Sequence, residues 1–268
     1  MRRFLSCSSL LLLLVARTWA GETAPRPPTA GERALFHDAL KTGEQDQDHW
    51  AYTETVSVRD KGGLLQDEVV VRYDPSRPYE EQYTPLKIDG QEPTKRQLRK
   101  YRAKGLDRGK AAARRAKAAG KSQPEEDKDA TIGFDVDHPL VREAGEARVI
   151  YEIPLEAKKS PVPVDKVKVI VEVDRLARRL THARMQVLDS FRVKAIAKVK
   201  RGAVRADFTV VDPAFPSVIT HVEGDVGASI LLIPLNATIT CERTDVRRVK
   251  AYDERFSVTL APLETLGF

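Results

Sequence analysis

Cysteine is nearly missing from this chain, with only Cys7 and Cys241 among 268 residues. That excludes a disulfide scaffold, and it excludes any zinc centre built on several thiolates. Aromatic residues make up 6% and tryptophan is present twice, and the most basic stretch, 95–121, holds only Tyr101 on which a base could stack. Serine is sparse after the first ten residues and no Gly-x-Ser-x-Gly elbow occurs, so serine-hydrolase chemistry has no recognisable seat. Beyond residue 20 no apolar run approaches the ~18–20 residues a membrane-crossing helix needs.

What is present begins with the one apolar run, Leu10 to Val15, behind Met1-Arg-Arg and ahead of Thr18-Trp-Ala20. A basic start, a short apolar centre and a small residue at the cut read as a secretory signal over residues 1–20. Export, to a periplasm or beyond, is therefore expected, with no membrane-spanning segment left. Cleavage would leave Cys241 as the single thiol, alternating with Ile239 and read as a small buried apolar side chain. Residues 21–31 are proline-rich and read as a disordered lead-in, with a single domain expected over 32–268.

From Val164 to Leu260, short alternating runs follow one another with little between them. Val167, Val169, Val171 and Val173 fall on one face of a strand, and Lys166, Lys168 and Glu172 on the other. Phe191, Val193, Ala195, Ala197 and Val199 repeat the pattern, and Arg201-Gly202 reads as a turn into Val204, Ala206, Phe208 and Val210. Further strands are expected at 178–187, 216–223, 228–237, 239–250 and 255–260. Upstream, 50–59 and 68–74 form a hairpin through Asp60-Lys-Gly-Gly63, and 83–90, 132–134 and 148–155 add short strands. Ten or eleven strands exceed what a flat sheet holds. The fold class is therefore mainly β (α+β), a strongly curved antiparallel sheet or unclosed β-barrel with a few covering helices. One cover is a helix over 32–41, with Leu35, Phe36, Ala39 and Leu40 at helical spacing.

A second helix starts at a capping box, Thr94 with Gln97 three residues on. Its charge is one-sided. Between Lys95 and Lys121 stand twelve basic residues against one acid, Asp107, in a basic helical insertion at about 95–124. The formal charge of the chain is +6, three arginines precede residue 20, and the insertion's excess of eleven leaves the remainder at −8. With high helix propensity and no apolar stripe, this segment reads as an exposed arm. Lys104, Arg108, Lys110, Arg114, Arg115 and Lys117 are its candidate contacts to a polyanion, namely an anionic membrane surface. Nucleic acid is not an expected partner of an exported chain whose basic segment offers only Tyr101 for stacking.

Catalytic and metal constellations are thin. Asp46, Asp48 and His49, and Asp135, Asp137 and His138, sit in charged loops without the glycine and distal glutamate of a calcium site. They read as solvated loop residues, and no catalytic residue, metal or cofactor is expected. Asp174, Glu223 and Asp225 near strand ends keep open the alternative of a secreted hydrolase with dispersed carboxylates.

The order of elements, signal, amphipathic helix, strand pair, capped helix and long meander, resembles the periplasmic lipoprotein carriers of the LolA/LolB kind. Leu86-Lys-Ile-Asp-Gly-Gln-Glu-Pro-Thr94 is similar to a segment found before a helix in uncharacterised exported proteins of that type. The resemblance implies a half-barrel wrapped round an apolar cavity, lidded by helices, and a non-catalytic monomer that binds lipid or lipoprotein acyl chains. The basic insertion has no counterpart in that pattern. On the residues themselves, Val169, Val171, Val193, Phe208 and Val210 are the candidate cavity lining. The alternative is an inner face packed shut against the helix over 32–41, giving an envelope interaction protein with no ligand.

Overall fold

The computed structural model describes residues 24–45, 49–118, 133–156, 162–193, 197–230 and 233–255. The expected signal, the expected strand at 255–260 apart from its first residue, Ile132, the loop acids Asp46 and Asp48, and the insertion beyond residue 118 lie outside them. Two helices, α1 (Ala30–Gln45) and α2 (Lys95–Ala118), accompany eleven strands: β1 (Trp50–Asp60), β2 (Leu65–Tyr73), β3 (Tyr83–Ile88), β4 (Leu140–Ala144), β5 (Arg148–Glu152), β6 (Val167–Asp174), β7 (Arg179–Val187), β8 (Phe191–Val193), β9 (Ala197–Thr209), β10 (Val218–Ile230) and β11 (Ile233–Arg248). No helix among the described residues is long and apolar enough to cross a membrane.

All strands belong to one antiparallel sheet in the order β3-β2-β1-β11-β10-β9-β7-β6-β5-β4, with β8 paired to β9. β3 and β4, at the two ends, do not pair, so the sheet is open, as its strand content predicts. Cross-strand partners share a face. The register therefore traces one surface from Val171 through Ala183, Ala206, Val222, Cys241, Val56 and Val69 to Ile88. This is the inner face, and both helices lie on it.

At one end the inner face is closed by α1. Leu35, Phe36 and Ala39 pack with Val141, Val149, Tyr151 and the four valines of β6 in the main core, where Phe36, Val149, Tyr151 and Val173 have no exposed surface. The strict alternation of β6, buried at every odd residue from Val167 to Val173, is the strand the sequence describes best. Tyr151 donates its hydroxyl to the Glu32 carbonyl at 2.7 Å, which satisfies a polar group that burial would otherwise penalise.

Several expectations are corrected. Residues 24–29 are not a loose lead-in: Arg26 bridges Val141 on the outer edge of β4, and Thr29 caps α1 through Glu32. Arg201-Gly202 is not a turn. β9 runs straight through it, with Lys200 bulged between Arg201 and Val199, and Gly202 is small because a side chain there would press on Val187 at 3.3 Å and the Asp225 carbonyl at 3.4 Å. The stretches 228–237 and 239–250 are not two strands; β10 ends at Ile230 and β11 is continuous from Ile233 to Arg248. β4 was not anticipated, and Phe134 contributes one isolated bridge to Leu155.

Candidate functional site

Between the two helices, the inner face over β1, β11, β10 and β9 is apolar and incompletely covered. Val56, Val58, Val204, Val222 and Val226 are half-buried, and Ile239 is 42% exposed. On the opposite face the same strands carry Thr55, Ser57, Arg205, Glu223, Thr238 and Thr240, polar residues of which Arg205 and Glu223 are exposed, as an antiparallel sheet with one solvated side requires. Apolar side chains line both surfaces of the main core under α1, whereas here the sheet supplies only one wall. The result is an apolar strip several strands wide.

The strip ends in polar chemistry beneath α2. Arg243 of β11 donates through Nε to Glu54 of β1 at 2.9 Å, and its guanidinium carbon lies 4.3 Å above the Tyr52 ring. Both partners are about a quarter exposed, so the pair is shielded from solvent. Burial pushes the Tyr52 hydroxyl up to about 12, against the opposing pull of Arg243. Burial likewise pushes the Cys241 thiol up to about 11, helped by the adjacent Glu54 carboxylate. A thiol so placed is a poor nucleophile, which agrees with its reading as an apolar filler. Tyr101 of α2 also titrates high, through burial and then the charge of Glu54.

Three tyrosines step across the strands from this pair. Tyr52, Tyr73 and Tyr83 are register partners on β1, β2 and β3, with ring centroids 5.1 and 5.0 Å apart. They explain how a helix without an apolar stripe docks. Arg108 lies 4.9 Å over Tyr73 and donates to the buried Gln82 at 3.1 Å, and Lys104 lies 4.4 Å over Tyr83. Cation–π contact with a partly desolvated ring is worth ~0.5–2 kcal/mol each. Gly105 and Gly109 bring the helix onto the 3-10 turn Tyr79–Glu81: a methyl group at Gly105 would sit 1.9 Å from the Tyr79 carbonyl oxygen.

The expected site residues divide accordingly. Val169 and Val171 are buried in the core under α1 and do not line the open strip. Phe208 is half-buried on the inner face of β9, near the strip. Val193 shares the face of Phe191 by register, and its side chain lies outside the described residues. Val210 lies past the end of β9 and is 45% exposed, so it lines nothing. Of the polyanion candidates, Lys104 and Arg108 are engaged by tyrosines, Lys110 pairs with Asp107 at 2.9 Å, and Arg114 is exposed. The side chains of Arg115 and Lys117 lie outside the described residues.

The dispersed carboxylates do not converge. Asp174 closes the β6–β7 turn by accepting the Ala177 amide, while Glu223 and Asp225 stand in mid-strand on β10, not at a strand end. Asp225 accepts from Arg201 at 2.9 Å. His138 pairs with Asp135 at 2.9 Å, and among the described residues no three acids, histidines or cysteines stand close enough to hold a metal. Sequence reasoning missed Glu54, Arg243 and the tyrosine row. Each lies on an inward position of a strand that reads as alternating, so their shared face was visible but their pairing across strands 189 residues apart was not.

No protein-family model and no curated protein matches the chain. Among solved structures it is similar to a LolA superfamily protein from Nitrosomonas europaea, at 11% identity, over 84% of this chain and 97% of that one, with a TM-score of 0.37. The likeness is distant.

Proposed function

We propose that this chain is a non-catalytic, exported binding protein for an amphiphile, a lipid or the acyl chains of a lipoprotein, held along the uncovered strip of the inner face. The half-buried row Val56, Val58, Val222 and Val226, with the exposed Ile239, carries the reading, because an apolar face turned inward from an open sheet is a binding surface by default. Each methylene removed from water contributes ~0.8 kcal/mol, so about a dozen give roughly 10 kcal/mol before the cost of association. The Glu54–Arg243 pair at the end of the strip suits the polar head.

Heating the purified protein with and without dispersed phosphatidylethanolamine or a diacylated lipopeptide tests this. Ligand at a hundredfold excess over its Kd stabilises the folded state by about 2.7 kcal/mol, an increase of roughly 5–10 °C in Tm for a chain of this size. Val226→Glu, which places a carboxylate on the strip without disturbing the α1 core, should abolish the increase. No shift with either ligand, together with no lipid in an organic extract of the protein, would contradict the reading.

A further inference from the structure

The geometry points to the outer face of α2 as a docking surface for an anionic phospholipid bilayer, independent of whether the strip holds a ligand. At 100° per residue, Lys95, Arg96, Arg99, Arg102, Lys110 and Arg114 fall within about 120° of the helix circumference. All six are exposed. The side that carries Tyr101, Gly105 and Arg108 is turned to the sheet, so these cations point away from the molecule. Among the described residues Lys110 alone of the six has an acidic partner, Asp107. They span about 29 Å along the axis. The other five, gathered on one side of a helix seated on the sheet, repel one another, and an extended anionic surface relieves that repulsion.

Two features favour a bilayer over a nucleic acid. Leu106 lies inside the cationic sector and is 42% exposed, and Leu98 on its flank is 44% exposed. An apolar side chain among lysines and arginines gains by entering the head-group region, whereas it gains nothing against a phosphate backbone. The outer sector also has no aromatic ring or amide side chain with which to stack on or read a base, since Tyr101 faces inward. Clamping through Gly105, Gly109 and the tyrosines fixes the helix relative to the sheet, so docking by this face would set the orientation of the whole molecule on the membrane.

The test is co-sedimentation of the full chain with phosphatidylcholine vesicles, alone or with about one third phosphatidylglycerol. Each basic residue near such a surface contributes about fivefold to binding. Loss of three cations weakens binding on the order of 100-fold, so the combined variant Arg96→Glu, Arg99→Glu and Arg102→Glu, which also adds three like charges, should bind the anionic vesicles at least about 100-fold more weakly. Arg192→Glu, Lys198→Glu and Lys200→Glu, exposed on β8 and β9, impose the same change in net charge and should leave binding within about twofold, which separates the helix face from overall charge. Circular dichroism and thermal melts of both variants check that they fold. Equal binding to neutral and anionic vesicles, equal losses in the two variants, or tighter binding to a single-stranded oligonucleotide than to the vesicles would each overturn the proposal.

Discussion

Glu32 is buried in the first turn of α1, and its environment holds it ionised. Arg26 grips the carboxylate through two nitrogens at 2.7 and 2.9 Å, and the Thr29 amide donates at 2.8 Å. The bond to Arg26 chiefly, with the Thr29 amide in support, lowers its pKa from 4.5 to about 2 against the opposing effect of burial. A carboxylate depressed on folding adds stability that is complete above its unfolded pKa and disappears as the pH falls through the folded one. Glu32→Gln should therefore cost about 2–3 kcal/mol at neutral pH, and wild type and variant should converge between pH 4.5 and about 2. Urea melts at neutral pH and near pH 3 check this; parallel curves with a constant gap would show that the carboxylate is not the cause. The spacing of this capping box is legible in the sequence, since Thr29 and Glu32 repeat the interval of Thr94 and Gln97. It was masked by the prolines before it, which suggest disorder when no partner strand is known. Arg26 orders that segment by pairing with Val141, a contact across 115 positions that no local pattern announces.

Among the elements, β6 and α2 mark the limits of periodicity. β6 is covered on one side only, so its alternation is clean and its face is correct from sequence alone. α2 has no hydrophobic stripe, yet half of it is packed, because two glycines and two cations on tyrosines replace the usual apolar contact. Helix-propensity rules make Gly105→Ala stabilising by about 1 kcal/mol. On this molecule it should destabilise instead, since the new methyl meets the Tyr79 backbone, which cannot step aside as a side-chain tip can. Limited proteolysis should cut α2 faster in Gly105→Ala than in wild type, and Ala113→Gly, which weakens the helix by about 1 kcal/mol without touching Tyr79, should have the smaller effect. The reverse order would remove the glycine clamp from the account. The end of β10 was illegible for a related reason: Ile230-Leu-Leu-Ile-Pro234 has no glycine, asparagine or aspartate to signal a turn. Gly202, which looks like such a signal, serves a close approach between strands.

At the scale of the whole molecule, the open sheet has its main core at one end, a docked basic helix at the other, and an apolar strip between them. Fold class followed from strand number and patterning, because eleven strands with one apolar face leave few architectures. The location of the proposed site did not follow. Val169 and Val171 have the strongest apolar alternation and for that reason belong to the packed core, whereas Val56, Val226 and Ile239, less clearly patterned, lie on the part of the inner face between the two helices. Photocrosslinking with a fatty acid that carries a diazirine on its acyl tail, mapped by mass spectrometry, reads the occupied surface directly. Saturable adducts on β1, β10 and β11, at or beside Val56, Val226 and Ile239, are the predicted result. Adducts confined to apolar side chains at exposed turns, such as Leu64 and Leu176, or labelling that an excess of unlabelled lipid does not suppress, would contradict it.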